Sequence, residues 1–507
     1  MLPMYQWVIV ALSLYLLANF RKQKRPPFPP GPKPWPIIGN SLQLPLRKPW
    51  LAFTEWGKKY NSQILYANAL GQHLVILTDV EDAIELLEKR SSNYSDRLQS
   101  QFVLRMGWTW NTALLPYGEL WRQHRRIAQE WYRKQAVARH LPLMDAHSKN
   151  FLRTLFATPD HFIEHCEVFA SAFIMDLVYG YKLKGHADPI HSTAQRAIAE
   201  LTQAMQPGAL ALDTFPVLFK ILPWLPGWNK FEKWLAGCRE LTSRMRDYPF
   251  ALVEEDIRQG VENPSLVRDM LEKFEANNFG FEDNNHNVLS GIAATSFAGG
   301  VETSSVTLET FFLALATHPE VQKKAQAEIL RVIGDDRLPT SEDRPSLPYI
   351  DAIFSETLRW QPLFPGGIPR TTVRDDVYKG YFIPRGAIVL PNVWSMTRNE
   401  AVYPEPEVFR PERYLTPDGR LDDGLPILSF GFGRRACAGK HLARESIWLV
   451  MARLLATFSI SQARDAVTGR EITPETVEYT TALAPHPKPF KCRIEPNGLA
   501  TRLFNDA

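Results

Sequence analysis

Ten residues near the C-terminus constrain this chain more than any other stretch: Phe430-Gly431-Phe432-Gly433-Arg434-Arg435-Ala436-Cys437-Ala438-Gly439. Three glycines release the backbone around one cysteine, and a helix-periodic run from about His441 to Ala456 starts just behind it. A helix N-terminus supplies partial positive charge and free N–H groups, which favour the thiolate form of a nearby cysteine. Gly433 and Gly439 carry no Cβ and are expected to let the backbone approach a bulky flat ligand. Arg435, two residues before Cys437, offers a fork of donors suited to a carboxylate. A lone buried cysteine in a glycine-rich turn is usually structural. The length of the pattern around Cys437 argues against that ordinary reading.

The decapeptide resembles the heme-binding loop of the cytochrome P450 superfamily. That resemblance implies heme b as cofactor with Cys437 as its axial thiolate, and Phe430 and Gly431 as part of the loop that faces it. Further segments carry the same resemblance. Ala298-Gly299-Gly300-Val301-Glu302-Thr303-Ser304 lies inside a helical pattern from Asn285 to about Thr317 that ends at His318-Pro319. Two adjacent glycines in a helix interior cost about 1 kcal/mol each relative to alanine, so they need a reason. One reason is close packing against another helix. The other is a loosened ladder beside a ligand, with the Thr303 hydroxyl bonding the Gly299 carbonyl to open a groove. Glu302 is about 100° further round and is expected to face a water route. The heptapeptide resembles the family's oxygen-activation motif. By that resemblance Thr303 assists protonation of dioxygen and Glu302 relays protons from solvent.

Glu356 and Arg359 resemble the family's ExxR pair, and Phe409-Arg410-Pro411-Glu412-Arg413 resembles the segment that supplies a third charge, Arg413. Trp121 and Arg125 fall at i, i+4, and their segment resembles the helix from which both side chains bond a heme propionate. Arg370 stands where many members place a further propionate-binding residue. By the same resemblance the substrate pocket draws on Phe102–Leu115, Gly208–Leu225, Ala294–Ala298, Leu363–Ile368 and Thr480–Leu483. These include Trp108, Trp110, Phe215, Phe297 and Phe364.

The chain of 507 residues has no Gly/Ser linker and no internal repeat, so one large domain is expected rather than three. The fold class is mainly α, with long helical patterns as in Val321–Val332 and Tyr349–Trp360. β-rich pieces lie at Gln63–Leu77 and Tyr378–Leu390, and a meandering coil at Asn399–Leu415. A net charge of +3, from 58 basic and 55 acidic residues, leaves no nucleic-acid footprint. Four cysteines form no disulfide framework, which fits a reducing compartment.

Met4–Phe20 is uncharged and mostly apolar, and Arg21-Lys22-Gln23-Lys24-Arg25 follows it. A cleavable signal peptide would carry its basic residues before the apolar core. The expectation is a transmembrane signal anchor with a basic stop over residues 1–25, then a proline-rich hinge over 26–40. The heme-thiolate catalytic domain over 41–507 would then face the cytosol from a single-pass anchor in the endoplasmic reticulum membrane.

The N-terminal arrangement resembles microsomal members of the family, and the whole chain resembles fungal ones. The implied activity is an NADPH-dependent monooxygenase of a lipophilic substrate, by hydroxylation or epoxidation, in specialised metabolism such as terpenoid or polyketide tailoring. The implied partners are O2, membrane lipid and a separate NADPH–cytochrome reductase, with cytochrome b5 as a second donor. The reductase is expected at a basic face containing Arg122, Arg126, Lys440 and Arg444. Two alternatives remain: a heme-thiolate isomerase or dehydratase acting on a peroxide without external electrons, and a non-catalytic heme-binding protein. Retention of Glu302 and Thr303 argues against the first.

Overall fold

The computed structural model describes residues 25–205, 228–275, 285–422, 424–464, 469–472 and 478–505. Helices dominate, and the 33-residue helix Asn285–Thr317 runs through the middle of them. At 1.5 Å per residue it is about 50 Å long. Val301, Val306, Leu308, Phe311, Phe312 and Leu315 along it are all buried, and over residues 305–316 the helix is enclosed on every side. Helix Phe162–Tyr179 packs beside it and contributes Ile174, Met175 and Val178 to the same core.

The central helix stops because His318 leaves helical geometry and Pro319 opens the next helix, Pro319–Val332, at its first turn. Behind the cysteine loop lies helix Lys440–Thr457, almost wholly buried from Ser446 onward. Helix Pro348–Trp360 packs against it and carries Glu356 and Arg359.

A four-stranded sheet sits to one side. Strands Ile64–Ala69 and Gln72–Leu77 pair antiparallel, and Gln72–Leu77 pairs parallel with Ile388–Pro391. The short strand Arg370–Thr371 closes it, with Arg370 opposite Val389. Lys379 (φ 50°) and Gly380 (φ 79°) form the turn of a hairpin between Asp376–Tyr378 and Tyr381–Ile383. Positive φ at both central residues matches the twist of the flanking strands.

The proline-rich stretch is laid along this sheet. The Tyr66 N–H donates to the Pro30 carbonyl, the Phe382 N–H donates to that of Pro27, and Phe28 stacks on Tyr66 at 4.3 Å. Asn93, in the sequon Asn93-Tyr94-Ser95, is buried with its amide on the Arg374 carbonyl, so it is closed to glycosylation. Residues 399–410 hold no regular element before the short turn Pro411–Tyr414. Among the described residues no helix is long and apolar enough to cross a membrane. The Met4–Phe20 anchor and the Gly208–Leu225 pocket segment, with Phe215, lie outside the described residues.

Candidate active site

The loop before helix Lys440–Thr457 is held by its own backbone. The Cys437 N–H donates to the Phe430 carbonyl at 2.8 Å, and the Gly431 N–H to that of Leu428 at 2.9 Å. Gly431 (φ 73°) and Gly433 (φ 50°) both take left-handed conformations. A Cβ on Gly433 would fall 2.5 Å from the Leu87 carbonyl oxygen and 3.0 Å from the Glu88 Cα. Gly433 therefore seats the loop on the Glu85–Lys89 turn, a reason different from the ligand approach expected of it. A Cβ on Gly439 would meet the Cys437 Sγ at 4.0 Å, an ordinary contact.

Cys437 is surrounded by protein atoms, yet its side chain is exposed. Burial pushes its thiol pKa up. The Gly439 N–H and the positive charges of Arg125 and Lys440 pull the other way.

Around this loop gather four arginines. Arg435 donates to the carbonyls of Ser95 (2.8 Å), Leu115 (2.8 Å) and Thr112 (3.3 Å), and its guanidinium lies 4.5 Å from the Trp121 ring centroid. Arg370 donates to the carbonyls of Leu87 and Phe432. Arg97 donates to those of Ala113 and Ile368. An isolated bridge between Asp96 and Thr371 draws the Arg97 segment to the Arg370 strand. Arg125, on helix Glu119–Tyr132 with Trp121, has its Nε buried without a partner.

Asp96 near Arg97 and Arg435, and Glu88 near Arg370, offset only part of this charge. Desolvation, with repulsion from Arg370 and Arg435, drives the Arg97 pKa well below the ordinary arginine value. Burial lowers Arg370 to about 10, and burial with repulsion from Arg370 lowers Arg435 to about 9. Such a group calls for an anion, since buried positive charges are stable only when paired.

The central helix presents Thr303 and Glu302. The Thr303 hydroxyl donates to the Gly299 carbonyl at 2.6 Å. The two glycines divide the two reasons offered for them. A Cβ on Gly300 would come 2.9 Å from the Ile174 side chain, whereas one on Gly299 would meet nothing within 4 Å. Gly300 allows helix packing and Gly299 borders open space. Glu302 points toward His486, 3.6 Å away.

A cavity of about 220 Å³ reaches Arg97 and Leu115 beside the arginine cluster, and neither Cys437 nor any residue of the central helix is among its lining. It is lined by Val103, Leu104, Trp108, Leu114 and Leu115, by Gly366–Ile368, and by Thr481–Leu483, within three of the expected stretches. Ala294–Ala298 and Phe364 do not line it. Phe297 is core, edge-on to Tyr179, and Trp110 packs on Trp108.

The sequence profile of the family described as Cytochrome P450 matches residues 29–491. The chain is 39% identical to cytochrome P450 monooxygenase claR of Ampulloclitocybe clavipes, over 96% of this chain and 89% of that one. It is 38% identical to cytochrome P450 monooxygenase ple1 of Rhodocybe pseudopiperita, over 97% and 93%. It is 35% identical to tryptamine 4-monooxygenase of Psilocybe cyanescens, over 96% and 98%.

The chain belongs to the cytochrome P450 family. As a P450 it is an oxidoreductase of the monooxygenase type, using O2 and a redox partner, with heme b bound through an axial cysteine thiolate. The cluster of arginines with surplus charge suits the two carboxylates of that cofactor.

Three features of this P450 escaped the sequence reading. Arg97 sits in Ser95-Asp96-Arg97-Leu98, which has no motif, and its partner at Ile368 is 271 residues away. Leu44–Phe53 contributes seven cavity-lining residues among a run that reads as an ordinary helix start. His486 was passed over because its neighbours in sequence are prolines, not ligands.

On the proximal side Arg122 is already paired with Glu119 at 2.8 Å, and Arg444 stands 3.7 Å from Asp351. Arg126 and Lys440 are exposed and take part in no ion pair among the described residues.

Proposed function

We propose that this chain is a reductase-dependent P450 monooxygenase that places one oxygen atom of O2 into a lipophilic substrate, by hydroxylation or epoxidation, in specialised metabolism. The observation that carries this reading is the surplus of buried guanidinium charge beside Cys437. Cys437 would ligate the iron, and Arg125, Arg370, Arg435 and Trp121 would hold the carboxylates of the cofactor, with Arg97 adding to the positive charge around them. Phe430 and Gly431 shape the loop in front of the sulfur. When bound, heme b supplies an electron-rich iron centre at which O2 is activated.

The protein's own part is to manage protons and water. Thr303, anchored on the Gly299 carbonyl, holds a hydroxyl at the mouth of the groove. Glu302 stands on its solvent side, partly exposed, where it replaces the proton that passes inward. One oxygen atom enters the substrate and the other leaves as water, consuming two electrons and two protons. The electrons come from NADPH through a separate reductase that docks at Arg126 and Lys440, with cytochrome b5 as a second donor. Residues 1–25 anchor the chain in the endoplasmic reticulum membrane, residues 26–40 are the hinge, and 41–507 form the catalytic domain in the cytosol.

The cavity narrows the substrate class. Its described lining is apolar and holds Lys48 and Arg97 but no carboxylate. A terpenoid or polyketide, neutral or acidic, suits such a lining better than an amine like the tryptamine named for the Psilocybe relative. The test is reconstitution with a fungal reductase, NADPH, isotopically labelled O2 and a lipophilic metabolite extract of the host. A product carrying one labelled oxygen, formed only with NADPH, is expected. Product formed equally well without NADPH would sink the reading in favour of a peroxide isomerase.

A further inference from the structure

His486 lies between two carboxylates of the central helix. Its Nδ1 donates to Glu309 Oε2 at 3.0 Å, and its Nε2 stands 3.6 Å from Glu302 Oε1, an ion-pair separation. Glu302 and Glu309 are seven residues apart, so they share a helix face two turns apart. Glu309 is 2% exposed, and its other oxygen accepts a 2.6 Å hydrogen bond from the Ser305 hydroxyl. Glu302 and His486 are about a quarter exposed, at 24% and 28%.

The backbone that carries the ring is also fixed. The His486 backbone N–H donates to the Thr480 hydroxyl, the Thr480 backbone N–H donates to the His486 carbonyl, and Tyr479 bridges Pro487. The tip of this same loop, Thr481–Leu483, lines the substrate cavity. His486 therefore stands where the water side of Glu302 meets the substrate side of the molecule.

We propose that His486 is a positioning residue for oxygen activation: anchored on the buried Glu309, its ring holds the Glu302 carboxylate on the solvent side of Thr303. This rests on the monooxygenase reading above and adds a component to it. The electrostatics agree. Desolvation opposes charge on the ring, but Glu302 and Glu309 outweigh it and push the His486 pKa up to about 10. Both nitrogens thus carry protons, one for each carboxylate. The buried Glu309 fixes the ring, and the remaining N–H is left for Glu302. Without the ring, Glu302 is free to swing into solvent, and protons reach Thr303 less reliably.

Replacing His486 alone strands the buried Glu309, so a folding defect would hide any positioning role. The double variant His486→Gln/Glu309→Gln removes both charges together. The full-length holoenzyme is reconstituted with reductase, NADPH and a substrate that it turns over, and hydrogen peroxide is measured per NADPH oxidised. The expected result is an intact reduced carbon monoxide spectrum with peroxide per NADPH raised about threefold. His486→Lys, which keeps a cation between the carboxylates, should return the wild-type ratio. A double variant with the wild-type ratio would make His486 a structural counter-ion only and overturn the proposal. A wild-type holoenzyme that oxidises no NADPH at all would instead overturn the monooxygenase reading, and this proposal with it.

Discussion

Two clusters of buried charge lie within this P450, and they are built on opposite terms. In the first, the Arg359 guanidinium makes a bidentate pair with Glu356 at 2.6 and 2.8 Å. The Arg413 Nε and the Arg410 backbone N–H reach the same carboxylate at 3.3 and 2.7 Å. The spare donors of Arg359 and Arg413 end on the carbonyls of Thr397, Val408 and Glu405. In the second, Arg97, Arg370 and Arg435 donate to backbone carbonyls and repel one another, and Arg125 has a buried Nε with no acceptor. In the first cluster a carboxylate and backbone carbonyls of the chain itself take up the guanidinium donors. The second is short of an anion, as a cofactor cradle must be.

The contrast gives opposite signs for similar substitutions. Glu356→Gln leaves Arg359 and Arg413 without their counter-charge in the core and should cost about 3–5 kcal/mol. In urea unfolding most of the chain should then be lost from the folded fraction. A variant of wild-type stability would mean the network is not what holds helix Pro348–Trp360 to the Pro411–Tyr414 turn.

Arg125→Leu should behave the other way. It removes a half-buried charge whose Nε has no acceptor among the described residues, so the heme-free protein should gain about 1 kcal/mol, while the variant loses heme during gel filtration faster than wild type. Loss of stability in the heme-free state would break the comparison at its centre.

Thr303→Ala touches neither cluster. It removes one hydrogen bond to the Gly299 carbonyl, so stability should fall by about 1 kcal/mol or less. NADPH oxidation should continue, with product per NADPH lowered severalfold and peroxide raised to match. Unchanged coupling on the native substrate would make that hydroxyl structural.

The smallest effect belongs to the exposed charges. Reversing Arg126 and Lys440 to Glu should slow the first electron transfer from the reductase about tenfold at low salt. The difference should shrink as salt rises, with substrate binding unchanged. Reversing Arg122 should do less, because Glu119 already neutralises it. Equal rates across the salt series would move the docking face elsewhere.

Much of this architecture is legible in the residues, and the legible parts share one property. The 285–317 helix, the Lys379-Gly380 hairpin and the Thr303–Gly299 bond each depend on residues within a few positions of one another. Arg97, the Leu44–Phe53 wall of the cavity and the Glu302–His486–Glu309 contact depend on separations of more than a hundred residues. No periodicity or short motif carries such contacts. The reason for Gly433 was missed for the same cause, because the Leu87 carbonyl that excludes its Cβ lies in another part of the chain. The Glu356–Arg359 pair is the intermediate case. Its spacing alone suggests a weak surface pair, its resemblance to the ExxR motif implies a buried structural network with Arg413, and side-chain exposures of 0% and 1% agree with the latter.

The account turns on Cys437 as the axial ligand, in a loop whose backbone is held independently of the sulfur. Cys437→Ala in the full-length chain, reduced and exposed to carbon monoxide, measures this most directly. The account predicts that the wild type shows the thiolate-type Soret band and that the variant, still folded by circular dichroism, shows none of it. A folded Cys437→Ala protein that keeps the thiolate-type band would place the ligand on Cys166, Cys238 or Cys492 and contradict the account.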